Sequence, residues 1–142
     1  LLAAALVVAT EDEVQRSGLS ALGRIVSVGV CGVDPAVMGI GPVPASEIAL
    51  KMAGLTVQDI DRWEINEAFG AQILAVQKAL GIEREKLNAH GGAIAFGHPL
   101  AATGARLSLT VLHQLRQAKL RYGAASACIG GGQGITMIFE VL

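Results

Sequence analysis

The sequence predicts an α/β fold, a mixed and mostly parallel five-stranded sheet with helices on both faces. Three observations lead there. Short runs rich in Val and Ile alternate with segments of helical spacing, the pattern of a parallel sheet with crossover helices. Hydrophobic residues make up 52% of the chain and charged residues only 16%, so a sheet would be covered on both sides or would keep a face for a partner. The 18 glycines follow no collagen-like period and therefore mark turns and close backbone approaches. The 142 residues fit one domain, 1–142, with a core of its own.

The apolar run Leu1–Ala9 reads as a buried first strand, too short to span a bilayer. Thr10 followed by Glu13 forms a capping-box signature, so a short helix should start there and stop at Gly18. Arg24–Val33 alternates and reads as a strand ended by Asp34-Pro35. Gly39, Gly41, Pro42 and Pro44 mark a loop, and Ala45–Ala53 has helical spacing at Ile48, Ala49 and Met52 before Gly54. Thr56–Ile60 is a turn or short helix, and Arg62–Ile65 is a brief third strand. Ala68–Leu80 places Phe69, Ile73, Val76 and Leu80 on one helical face closed by Gly81. The polar stretch Glu83–Asn88 leads into a long loop, Gly91–Pro99, and then a helix from about Ala101 to Lys119 with a stripe of Leu107, Val111, Leu112 and Leu115. Tyr122–Ile129 and Ile135–Leu142 read as antiparallel strands joined by the glycine turn Gly130–Gly134. The order is thus βαβαβαββ, and right-handed crossovers leave few topologies.

Charge narrows the function. Eleven basic and 12 acidic residues are scattered to a net charge of -1, so electrostatic binding to nucleic acid or to an anionic membrane is not expected. Cys31 and Cys128 lie far apart, and His90, His98 and His113 share no metal-type spacing with them, so no metal site is expected. A disulfide stays open, but the glycine-rich setting of Cys128 reads better as a reactive thiol in a reducing compartment. The opening run lacks a basic leader, no targeting segment is recognised, and the expected location is cytoplasmic, of bacterial type.

Ligands of such sheets bind beyond the carboxyl ends of the parallel strands, and four polar residues fall there: Asn66, Glu67, His98 and Cys128. The step Gly97-His98-Pro99 fixes an imidazole on a rigid loop, where it acts as a proton shuttle or oxyanion donor, or merely satisfies backbone carbonyls. Cys128 precedes Ile129 and three glycines, a setting that suits a lowered thiol pKa and an oxyanion hole, or else a small core residue. Asn66 reads as an anchor for a water or carbonyl, or as a plain helix cap. Glu67 reads as a helix-start acid rather than a general base. The turn Gly130-Gly131-Gly132-Gln133-Gly134 is a poor phosphate loop, since no Lys-Ser/Thr pair follows and a strand comes next. His90, His113 and Trp63 read as a loop contact, a helix-surface residue and packing.

Three motifs then gain weight from their order and spacing: Asn66-Glu67-Ala68-Phe69, Gly91-Gly92-Ala93-Ile94-Ala95-Phe96-Gly97-His98-Pro99, and Cys128-Ile129-Gly130-Gly131-Gly132. Together they strongly resemble the thiolase family, in its carboxyl-terminal half. Gly32-Val33-Asp34-Pro35, Met38-Gly39-Ile40-Gly41-Pro42 and Ala53-Gly54-Leu55 extend the resemblance over essentially the whole chain.

The resemblance implies a thiolase-like half-fold and acyl transfer between coenzyme A and 3-ketoacyl-CoA, by thiolysis or Claisen condensation, through an acyl-cysteine and two oxyanion holes. It implies that His98 activates the nucleophilic cysteine and helps polarise the substrate carbonyl. Cys128 would move the proton at the substrate alpha carbon or the coenzyme A thiol, Asn66 would hold a water, and the N-H of Gly130 would complete the second oxyanion hole. Met38 and Phe69 would line the acyl and pantetheine channel. Coenzyme A and acyl-CoA enter as substrates, with no permanently bound cofactor. The implied partners are an amino-terminal thiolase half, which carries the nucleophilic cysteine, and further copies in a homo-oligomer.

Cys31 matches no nucleophile motif, so the chain alone is expected to be inactive. Ala101 stands where the family has glycine, and Leu1-Leu2 where it has Asp-Gly. Two alternatives remain: a non-catalytic assembly or binding module that keeps the fold, and a ketoacyl synthase relative, against which Cys128 argues because that group carries histidine there.

Overall fold

A computed structural model of the protein describes residues 3–142. Among these residues, four strands form one sheet: β1 (Arg24–Gly32), β2 (Arg62–Ile65), β3 (Tyr122–Ile129) and β4 (Gln133–Glu140). Their spatial order is β1-β4-β3-β2. The β2–β3 pair is parallel, whereas β4 runs antiparallel to both of its neighbours, so β4 alone points against the other three. The expected α/β class and the closing hairpin are thus present.

The expected first strand is not. Leu1 and Leu2 lie outside the described residues, and 3–9 has no regular structure and is mostly exposed, with Val7 at 92%. Composition can favour a strand, but a strand exists only where a neighbouring backbone takes its N-H and C=O groups, and among the described residues none does so here. The fifth position of the sheet is occupied differently, by an isolated parallel bridge from Trp63 of β2 to Leu87.

Among the described residues, five α-helices accompany the sheet: α1 (Glu11–Ser17), α2 (Pro42–Ala53), α3 (Gly70–Leu80), α4 (Ala93–Phe96) and α5 (Thr103–Ala118). The Thr10 hydroxyl accepts from the Glu13 N-H at 3.3 Å to start α1, and Gly18 ends it in the left-handed region. Proline at the first turn starts α2 three residues before the predicted Ala45, because the missing N-H is one that no helix start can use. Helix α4 forms inside the segment expected to be all loop.

Alternation along β3 and β4 divides the core in two. Ala124 and Ile138 face α2 and α3, where Trp63, Ile65, Ile73, Val76 and Leu80 pack; Ala125 and Phe139 face α5. All four residues of the predicted α5 stripe are buried, each contributing roughly 1.5–3 kcal/mol of apolar burial. Helix α2 differs from its expected face: Ala45, Ala49 and Leu50 are buried while Ile48 and Met52 are exposed. Its small side is held against the sheet at Gly29, where a Cβ would lie 2.1 Å from the Ala45 carbonyl oxygen. Larger residues could not sit that close.

A hydroxyl relay crosses the α2 face. Ser126 Oγ gives its proton to the Ile135 carbonyl at 2.9 Å, so it accepts from Thr136 Oγ1 at 2.8 Å, which in turn accepts from Ser46 Oγ at 2.9 Å. Each hydroxyl has one proton, so only this direction satisfies all three. The relay locks β3, β4 and α2 together directly before Cys128.

Candidate active site

The parallel pairing of β2 and β3 sets Ile65 beside Ser126, and the Asn66 N-H extends the ladder one residue by donating to the Ser126 carbonyl at 2.9 Å. The carboxyl ends of two adjacent strands thus carry Asn66 and, two residues past Ser126, Cys128. Asn66 is only 1% exposed, yet neither its Oδ1 nor its Nδ2 has a hydrogen-bond partner among the described residues. It caps no helix, since α3 begins at Gly70 behind an extended Phe69. Leaving a buried amide unpaired costs about 1–3 kcal/mol per group, so this side chain is poised for a ligand or a water.

Cys128 and Cys31 are both free thiols and partly buried. Burial pushes the Cys128 thiol above its ordinary pKa, and its own backbone N-H only partly opposes this. Where the sequence suggested a lowered value, the direction is the opposite, because desolvation outweighs the one backbone N-H that favours the thiolate. Gly130 is exposed in the turn Gly130–Gly132 that closes the hairpin. The Gly132 carbonyl accepts from the Val33 N-H at 2.8 Å, which ties this turn to the segment leading to Met38. Met38 lies half-buried in a 3-10 segment, Pro35–Ile40, packed against α3 and β3.

His98 is exposed on the loop between α4 and α5. Its Nδ1 lies 2.7 Å from Thr103 Oγ1, whose own proton goes to the Pro99 carbonyl at 3.1 Å. The hydroxyl can therefore only accept from the ring, so Nδ1 carries hydrogen and the neutral imidazole presents the lone pair of Nε2. Thr103 was not among the residues singled out in the sequence; a hydroxyl five residues after a loop histidine, at a helix start, is its one local signal.

Phe69, expected on the buried face of α3, is 65% exposed; Ile94, which approaches the adjacent Gly70, is exposed too, as are Phe96 and Leu100. Glu67 does not cap the helix that follows it, α3; its carboxylate accepts from Asn88 Nδ2 and from the Ile94 N-H at the start of α4. No group of three or more His, Cys, Asp or Glu side chains gathers among the described residues.

A separate hollow of about 560 Å³ lies along α5, lined by Arg106, His113, Gln114 and the alanines of 3–5. Beneath it Glu64 is fully buried, accepting from Gln114 Nε2 at 2.8 Å with an Arg106 nitrogen 3.7 Å away. Burial raises the Glu64 carboxyl to about 7, although Gln114 and Arg106 pull it down.

Against known proteins, the family described as "Thiolase, C-terminal domain" matches residues 19–141. A beta-ketothiolase of Cupriavidus necator is 54% identical over 138 residues, 97% of this chain and 35% of its own length. The acetyl-CoA acetyltransferase of Escherichia coli is 54% identical over 140 residues, 99% of this chain and 36% of its own. The crystal structure of human mitochondrial 3-ketoacyl-CoA thiolase in complex with CoA superimposes with a TM-score of 0.93 at 49% identity, covering 94% of this chain and 34% of that one. The chain thus spans about a third of the length of the relatives it matches.

Proposed function

The chain belongs to the thiolase family, and on that premise we propose that it is the carboxyl-terminal part of an acyltransferase working between coenzyme A and 3-ketoacyl-CoA. The nucleophilic cysteine comes from an amino-terminal half. In thiolysis that cysteine's thiolate adds to the C3 carbonyl. The C2–C3 bond then breaks, and the electron pair left on C2 takes the proton of Cys128. The coenzyme A thiol next gives its proton to the Cys128 thiolate and attacks the acyl-cysteine, releasing the shortened acyl-CoA and restoring both cysteines.

The lone pair on His98 Nε2 suits deprotonation of the nucleophile, and the imidazolium so formed suits donation to a carbonyl oxygen. A Cys128 thiol held above its ordinary pKa by burial keeps the proton that C2 needs. Asn66 would hold a water in the first oxyanion hole, the Gly130 N-H would serve the second, and Met38 and Phe69 would line the substrate channel. The observation that carries the reading is Asn66, a buried amide with both polar atoms unpaired where the Cys128-bearing strand ends. The half carrying the nucleophile, and further copies of the assembled enzyme, are the partners it calls for.

The test is coenzyme-A-dependent cleavage of acetoacetyl-CoA. The chain alone should be inactive, and adding the amino-terminal half of a thiolase should restore cleavage that His98→Ala abolishes. Activity of the pure chain that depends on His98 would mean that its nucleophile lies within it. No activity in the pair, although the two halves bind each other, would favour a non-catalytic module.

A further inference from the structure

Glu67 follows Asn66 directly, and its carboxylate is committed on both sides. Oε1 accepts from Asn88 Nδ2 at 3.0 Å, and Oε2 accepts from the Ile94 N-H at 3.0 Å. Asn88 is itself fixed to β2: its Oδ1 accepts from the Ile65 N-H at 2.9 Å and its Nδ2 donates to the Ile65 carbonyl at 3.0 Å. One carboxylate therefore joins the end of β2 to the first turn of α4, four residues before His98. Among the described residues, no other side chain makes a hydrogen bond to the segment 91–97.

Gly92 shows how tight this joint is. Its φ of -124° is open to any residue, yet a Cβ there would lie 2.3 Å from the Glu67 carboxyl carbon. The glycine is required by the carboxylate and not by the backbone conformation.

We infer that Glu67 is a positioning residue, a clamp that sets the His98 loop relative to Asn66. It touches neither substrate nor nucleophile, and it fixes the distance between a proton-transfer group and an oxyanion-hole group that reach the site from segments far apart in sequence. Misplacing such groups by about an ångström can slow a reaction about a hundredfold. The inference rests on the thiolase reading for its effect on rate, but the clamp itself can be tested without it.

In the reconstituted pair, Glu67→Ala should lower kcat for acetoacetyl-CoA cleavage by about ten- to a hundredfold, with KM within about twofold of wild type. Glu67→Gln, which keeps one acceptor, should lose less. Gly92→Ala should match Glu67→Ala, and the double variant should be no worse than either, because the added methyl only displaces a carboxylate already gone. Wild-type kcat in Glu67→Ala, or losses that multiply in the double variant, would overturn the clamp. If wild type shows no His98-dependent activity, the functional reading fails, and amide exchange at Ile94 in the chain alone decides the clamp. Faster exchange in Glu67→Ala supports it, and unchanged exchange overturns it.

Discussion

His98 and Thr103 form a donor–acceptor pair of fixed direction: Nδ1–H donates to the hydroxyl across 2.7 Å because the hydroxyl's only proton is already given to Pro99. The tautomer of His98, with its Nε2 lone pair free to act as a base, is thus chosen by a residue at the start of the next helix.

Thr103→Val should release that choice. Nitrogen-15 spectra of His98 should change from one neutral tautomer to a mixture, and kcat of the reconstituted pair should fall by about tenfold. The chain should lose only about 1 kcal/mol of stability, the worth of an ordinary hydrogen bond. An unchanged tautomer would show that something other than Thr103 sets it.

Asn66→Ala separates function from stability. Because the amide has no partner to lose among the described residues, the chain's unfolding free energy should stay within about 1 kcal/mol of wild type. The reconstituted activity should fall by about two to three orders of magnitude, as for a lost oxyanion-hole donor. A loss of several kcal/mol in denaturant melts would instead make Asn66 structural.

Cys128 should be a slow nucleophile in the chain alone. Iodoacetamide labelling at neutral pH, read by mass spectrometry, should proceed more slowly than in the denatured chain and accelerate toward alkaline pH, since burial raises the thiol. Faster labelling than in the denatured control would show an activating group that burial does not outweigh.

Glu64 gives stability a pH dependence with a definite sign. Its folded value of about 7 exceeds the ordinary 4.5, so folding favours the protonated form. The stabilisation is complete below the ordinary value and is lost as pH rises through about 7, amounting to about 3 kcal/mol. Glu140 acts oppositely and at lower pH: Arg121 and Arg24 hold its carboxyl below the ordinary range, so its contribution is lost on acidification. Wild type should therefore unfold more easily in denaturant at about pH 8 than at about pH 5, and Glu64→Gln should remove most of that difference. A difference of equal size in Glu64→Gln would place the titrating group elsewhere.

Local chemistry made much of this legible. The Thr10 cap, the glycine stops at Gly18, Gly54 and Gly81 and the apolar stripe of α5 each follow from neighbours a few residues away, and each is present. Asn66 and Cys128 stood out because strand ends carry ligands, and the pairing of β2 with β3 brings those ends side by side. What escaped depends on distant partners. Glu67 looks like any acid before a helix until Asn88 and Ile94 arrive, 21 and 27 positions on. Met52 and Ile48 fitted a buried stripe by spacing, but the close approach at Gly29 turned the alanine side of α2 inward. The opening apolar run has the composition of a strand, and composition alone supplies no neighbour to pair with.

The place of β4 in the sheet bears on how the protein folds. Every backbone pair that β1 makes is with β4, about a hundred residues downstream. Among the described residues, β1 has no strand to pair with until the β3–β4 hairpin has been synthesised. Contacts this remote in sequence are slow to close, and a chain stalled before Gln133 would hold β1, β2 and β3 with nothing to join the first to the third. The hairpin is the keystone set last, and the interval before it arrives is when chaperones would have most to protect.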